Sequence, residues 1–225
     1  MHIEKADIYF LVDGSSSINH DNFLEMKVFM NEVIKRFQIG PDRVRFGVVQ
    51  YSDGIDIHFI LSQYSSVAGL KAAIDDIQQR KGGTMTGEAL SSMAQVFVNT
   101  TRRDVPWYLI IITDGKSEDP VAEPAEALRR EGVIIYAIGV KNANVMELKE
   151  IAIDKTFFTP EFDSLKAIQR DVVQDICSSE SKSCFFSLSF LPSVCIESNE
   201  IGFILKVWTH WGPKVNVGQS DHDLG

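Results

Sequence analysis

Short unbroken apolar runs alternate along the chain with segments whose apolar residues recur at helical spacing. Residues 8–12, 107–113 and 133–140 are such runs, and their length suits strands buried on both faces of a parallel sheet. Residues 43–52 read as a further strand, and Asp53-Gly54 is a two-residue hairpin signal. After it Ile55, Ile57, Phe59 and Leu61 alternate with Asp56, His58 and Ile60. That period of two predicts an antiparallel edge strand, with His58 on its solvated side.

Helices fill the intervals. Asn19 or Asp21 can cap a helix running to about Phe37, with Phe23, Met26, Met30, Val33 and Ile34 on one face. Residues 66–79 present Leu70, Ile74 and Ile77 inward, and the helix after Gly82-Gly83-Thr84-Met85-Thr86-Gly87 runs to about Asn99 with Leu90, Met93 and Phe97 as core. Further helices are expected at 125–131, 144–152 and 162–177, with a short strand at 156–159. Strands alternating with helices predict an α/β, doubly wound, Rossmann-like sheet with helices on both faces.

Residues 178–225 break this alternation. Residues 184–194 form a Phe/Ser/Leu run with neither helical period nor polar alternation, 202–208 suit a short strand, and no Gly-X-Y repeat appears. The expected division is a domain over 1–177 and an atypical tail over 178–225 with little structure of its own. The alternative is that Phe185, Phe186 and Trp208 cover part of the domain.

Composition narrows the partners. The 225 residues are 44% hydrophobic and 24% charged with net charge −9, which fits one globular domain with a substantial core. So acidic a chain without a basic stripe is no nucleic-acid binder, and no run of 18 apolar residues predicts membrane insertion. The start lacks the apolar core of a secretory signal, so a secreted form is expected to be a mature fragment, the alternative being an intracellular form. Cys177, Cys184 and Cys195 all lie late. Cys177 could pair with either of the others, leaving an odd thiol for an intermolecular bond, or all three could be free. Asn99-Thr100-Thr101 is a glycosylation triplet, usable only in a secreted protein.

Candidate chemistry gathers where three elements end. Asp13-Gly14-Ser15-Ser16-Ser17 follows the first strand, Thr84 lies in the glycine-rich loop, and Thr113-Asp114-Gly115 follows the strand at 107–113. Each alone is ordinary turn chemistry. Together, at the carboxyl edge of a parallel sheet, they offer two carboxylates and three hydroxyls, hard oxygen donors suited to Mg²⁺ or a similar cation. Two carboxylates about 5 Å apart repel by roughly 3 kcal/mol at an effective dielectric near 20, and a divalent ion between them reverses that sign. An enzyme is not expected. The serines lack a G-x-S-x-G elbow, no histidine stands in a strand-end loop as a base, and a phosphoesterase would want more carboxylates.

This constellation resembles the von Willebrand factor type A (vWA) domain and its metal-ion-dependent adhesion site, over residues 5–177. The family's DxSxS is met by Asp13, Ser15 and Ser17, its later Thr by Thr84 in GGTMTG, and its later Asp by Asp114 in ITDG. FLVDGSSSI, RVRFGVVQYSD and GGTMTGEAL look most like the vWA modules of collagen VI α chains of the alpha-4/5/6 type. The resemblance implies a six-stranded, mostly parallel sheet with one antiparallel edge strand. It also implies a Mg²⁺ or Mn²⁺ site with one coordination position left for an Asp or Glu of a protein ligand. Ser15, Ser17 and Thr84 would ligate through hydroxyls, and Asp13 and Asp114 directly or through water. Ser16, Met85 and Lys116 would form the rim, with Glu118 and Asp119 opposing a strongly acidic partner. The implied role is non-enzymatic adhesion in the extracellular matrix, to a matrix protein or collagen, with tail cysteines available for oligomers. The alternative is a structural assembly module acting through other faces.

Overall fold

The computed structural model describes residues 3–179 and two strand segments, 194–199 and 202–207. Its first unit is an α/β sandwich. Six strands, β1 (Ala6–Asp13), β2 (Val44–Tyr51), β3 (Ile55–Phe59), β4 (Trp107–Thr113), β5 (Val133–Val140) and β6 (Thr156–Thr159), lie in the order β3-β2-β1-β4-β5-β6. Only β3 runs antiparallel to its neighbour β2. This is the doubly wound architecture expected from the alternation of elements.

Strand β1 lies centrally, and all eight of its residues are buried. Its side chains divide between two cores. Ile8, Phe10 and Val12 pack with helices α1 (His20–Ile34), α2 (Val67–Asp75) and α6 (Leu165–Ser179) on one face. Tyr9 and Leu11 face α3 (Thr86–Thr100), α4 (Ala122–Arg130) and α5 (Val145–Ala152) on the other. Burial on both faces is why the run carries no polar alternation.

Helix boundaries follow local capping. The Asn19 side chain accepts from the Asn22 amide at 2.8 Å and starts α1. Ser66 caps α2, and Asn144 caps α5. Helix α2 stops at Asp75 instead of reaching 79. The Lys27 ammonium, on α1, donates to the carbonyls of Asp75 and Ile77 and takes up the freed acceptors there. Residues 162–164 form a 3₁₀ turn ahead of α6, and α4 begins three residues earlier than the apolar pattern indicated.

At the amino end of β1 the Asp7 carboxylate is fully buried between two arginines. Arg45 donates to it from Nε at 2.8 Å and Nη2 at 2.6 Å. Arg102 donates from its backbone amide at 2.7 Å and from Nη2 at 2.7 Å, while the same Nη2 reaches the carbonyls of Ala6 and Arg43. Burial works to raise the Asp7 pKa, but the hydrogen bonds from Arg45 and Arg102 outweigh it and hold the group below its ordinary value.

The edge strand corrects one expectation. The register shifts between Val48, opposite Phe59, and Val49, opposite Ile57, so His58 sits in a bulge. Its ring is half-buried and its Nε2 lies 2.8 Å from the Gln50 side-chain nitrogen, so it is not a solvated surface histidine. Ile57, placed inward by strict alternation, is 44% exposed.

In the second unit, β7 (Val194–Asn199) and β8 (Gly202–Val207) pair antiparallel. β8 coincides with the strand expected near 202–208. Cys177, on α6, forms no disulfide among the described residues, and its pairing with Cys184 or Cys195 lies outside them.

Candidate metal centre

Three loops are laced together at the carboxyl edge of the sheet. The Ser16 amide donates to the Gly82 carbonyl at 2.9 Å, the Gly82 amide returns to the Ser16 hydroxyl at 2.9 Å, and the Lys81 amide meets the Gly14 carbonyl at 2.9 Å. The glycine-rich loop is tied to the third loop through Glu118. Its backbone amide donates to the Thr84 carbonyl at 2.9 Å, and its carboxylate accepts from the Thr84 amide at 3.0 Å. Two glycines permit this closeness. Gly82 has φ +115°, unsuited to other residues, and a Cβ on Gly14 would lie 2.1 Å from the Gln50 side-chain oxygen.

Within this frame four of the sequence-selected groups form one chain of contacts. The Ser15 amide donates to Asp13 Oδ1 at 2.8 Å, the Ser15 and Ser17 hydroxyls lie 2.9 Å apart, and Ser17 donates to Asp114 Oδ1 at 2.6 Å. Thr84 is buried in the adjoining loop. Its hydroxyl makes no hydrogen bond among the described residues, whereas its backbone is fixed on both sides by Glu118. Ser16 and Lys116 are exposed and Met85 is half-buried.

The electrostatics are one-sided. Asp13 is fully buried and Asp114 is 3% exposed, yet no ion pair among the described residues involves either. Burial raises the Asp13 pKa to about 6, against hydrogen bonds from Ser15 and Thr113, and the nearby Asp114 charge adds to the rise. Burial likewise raises Asp114, opposed by the Ser17 hydrogen bond and the Lys141 charge. Strand β1 thus carries a buried carboxylate near each end: Asp7 has two guanidinium partners and Asp13 has none. Isolated buried carboxylates are costly, and a divalent cation would supply the missing charge. Among the described residues no three His, Cys, Asp or Glu side chains gather as a metal cluster.

Several supporting residues escaped the sequence pattern. Thr113 donates from Oγ1 to Asp13 Oδ2 at 2.8 Å, and its position just before Asp114 was the only available signal. The Gln79 side chain donates to the carbonyls of Ser15 and Ile18, pinning the first loop. The Ser117 amide donates to Glu147 Oε1 on α5 at 2.9 Å, and the Ser117 hydroxyl to Asp119 Oδ1 at 2.6 Å. The Asp119 carboxylate accepts from the Gly87 and Glu88 amides at 2.7 Å each. It caps α3 from a distant loop, where Met85 at the N-cap provides no side-chain bond.

The Asp13 environment sets a pH dependence. In metal-free protein its folded pKa lies above the ordinary 3.8, so the folded state holds a proton that the unfolded chain releases. The associated stability is fully present below about 3.8 and is lost as pH rises through about 6, a change of order 3 kcal/mol. Thermal melts in chelator are expected to rise from pH 7 to pH 5, and Mg²⁺ to remove most of that difference. A melting temperature that falls over the same interval in chelator would contradict the assignment.

The family model of the von Willebrand factor type A domain matches residues 7–171, and the chain belongs to that family. The chain is 66% identical over 179 residues to the collagen alpha-4(VI) chain of Mus musculus and 46% identical over 186 residues to the collagen alpha-5(VI) chain of Homo sapiens. Each alignment covers 80% of this chain but only 8% and 7% of those relatives, so the chain spans under a tenth of their length. Among solved structures, proximal thread matrix protein 1 from the mussel byssus, with a zinc-occupied MIDAS motif, matches at 38% identity and TM-score 0.72, covering 78% of this chain and 46% of that one. The chain is thus a vWA domain of the kind found in collagen VI chains. Among the described residues no helix is long and apolar enough to cross a membrane.

Proposed function

We propose that this domain is a protein-binding module of the extracellular matrix. In this reading it holds Mg²⁺ or Mn²⁺ at Asp13, Ser15, Ser17, Thr84 and Asp114 and uses the ion to capture an acidic side chain of a matrix protein or collagen. The observation that carries this reading is the pair of buried carboxylates, Asp13 and Asp114, in no ion pair among the described residues and linked through Ser15 and Ser17. Hard oxygen donors suit such ions. The mussel relative's zinc-occupied MIDAS motif supports a divalent ion as the occupant.

The ion, when bound, supplies Lewis acidity toward an incoming carboxylate. Two carboxylates neutralise a divalent charge without exceeding it, so an anion from outside is still attracted. Asp13 and Asp114 provide that charge, the hydroxyls of Ser15, Ser17 and Thr84 complete the donor set, and Thr113 and Gln79 hold the loops in place. Ser16, Met85 and Lys116 form the rim that reads the rest of the ligand. The relatives' identity as collagens supports placement in the matrix.

The test is retention of solubilised matrix proteins on the immobilised chain. Capture in Mg²⁺ with release by EDTA is expected. Retention that persists in EDTA would replace this reading by a structural module acting through other faces.

A further inference from the structure

We propose that Asn99 carries an N-linked glycan whose first N-acetylglucosamine lies in an apolar cleft between β3 and α3. The inference rests on the secreted placement proposed above, because the modification requires the secretory lumen. Asn99 opens the triplet Asn99-Thr100-Thr101, and its side chain is exposed on the last turn of α3. A folded domain can therefore accommodate a substituent there without disturbing either core.

The cleft has a volume of about 340 Å³ and is lined by Ile55, Ile57, Ile60 and Val96, with Asn99 itself in its wall. The bulge opposite Val48 and Val49 leaves Ile57 44% exposed on this surface. A sugar on the Asn99 amide starts inside the lining and needs no reach to cover the isoleucines. N-acetylglucosamine suits such a floor, having an apolar C–H face, an acetamide methyl and hydroxyls directed to water. Covering aliphatic surface in this way removes it from solvent. The cleft also lies away from the metal centre. Helix α3 begins beside the Thr84 loop and ends where the Thr100 carbonyl accepts from Arg45, at the Asp7 end of β1. A glycan there leaves the proposed ligand rim open.

The group transfer is balanced and involves no redox change. The Asn99 amide nitrogen bonds to the anomeric carbon of an oligosaccharide carried on a lipid pyrophosphate. The carbon–oxygen bond to the pyrophosphate breaks, that group departs with the electron pair, and the amide loses one proton.

The experiment uses the full chain behind a cleavable secretory leader in mammalian cells that make oligomannose glycans, reading both the lumenal pool and the medium. Peptide N-glycosidase is expected to remove a glycan and convert Asn99 to Asp by mass, and Asn99→Gln to abolish the modification. An unmodified Asn99 in the lumenal pool would overturn the proposal. A modified chain retained in cells would support it while contradicting placement in the matrix. Trimming to a single N-acetylglucosamine is expected to leave a melting temperature at least about 2 °C above that of Asn99→Gln, a gain reduced by Ile57→Thr. Identical melting of the trimmed form and Asn99→Gln would overturn the seat in the cleft.

Discussion

Asp7→Ala is expected to lower the melting temperature by roughly 6–12 °C while leaving metal binding unchanged. The carboxylate is wholly buried, and its removal leaves Arg45 and Arg102 facing each other with side chains only 12% and 20% exposed. Breaking one partner of a buried ion pair costs about 3–5 kcal/mol, and partial access of both guanidiniums to water places this case near 3. The effect extends beyond one pair, because Arg102 also holds the carbonyls of Ala6, Pro41 and Arg43. The sign with pH follows from a folded pKa below the ordinary 3.8. The contribution of Asp7 is present above that value and is lost as pH falls through the folded one. Variant and parent should therefore converge in acid. Melting curves from pH 7 down to pH 3 check this, and a deficit that persists unchanged into acid would assign Asp7 a packing role only.

Asp13→Asn is expected to act in two opposite directions. Divalent binding should weaken by about 100-fold, the upper range for loss of a metal-orienting group. The metal-free variant at pH 7 should melt several degrees above the metal-free parent, because a neutral amide escapes the desolvation that raises the Asp13 pKa. The hydrogen bonds survive the change. The amide oxygen still accepts from the Ser15 amide, and the Thr113 hydroxyl can rotate to accept instead of donate. Lost affinity together with gained metal-free stability marks a residue kept for its site. A variant that binds Mg²⁺ like the parent, or melts lower without metal, would refute that assignment.

The two ends of β1 also show how far the sequence could be read. The apolar run from Ile8 to Val12 announced a strand buried on both faces, because such a strand has no solvent side on which to place polar residues. The meeting of the two carboxylates was legible for a related reason. Asp13 follows an apolar run directly and Asp114 follows one after Thr113, and strand ends in one parallel sheet meet at one edge. Asp7 was not legible, since a charge just before an apolar run looks like a solvated strand start. Its arginine partners come from positions 45 and 102, which only the fold brings together. His58 and Ile57 were misplaced because a bulge breaks the period of two without any mark in composition. The remote cap of α3 by Asp119 and the clamp by Gln79 are likewise long-range contacts without a local signature.

Isothermal titration of the chelator-treated full chain with MnCl₂ and MgCl₂ at pH 7, alongside Asp13→Asn, tests the metal assignment most directly. The expected result is a saturable heat of one ion per chain for the parent and none over the same range for the variant. A flat parent titration, or equal heats for both proteins, would contradict a divalent site at Asp13, Ser15, Ser17, Thr84 and Asp114.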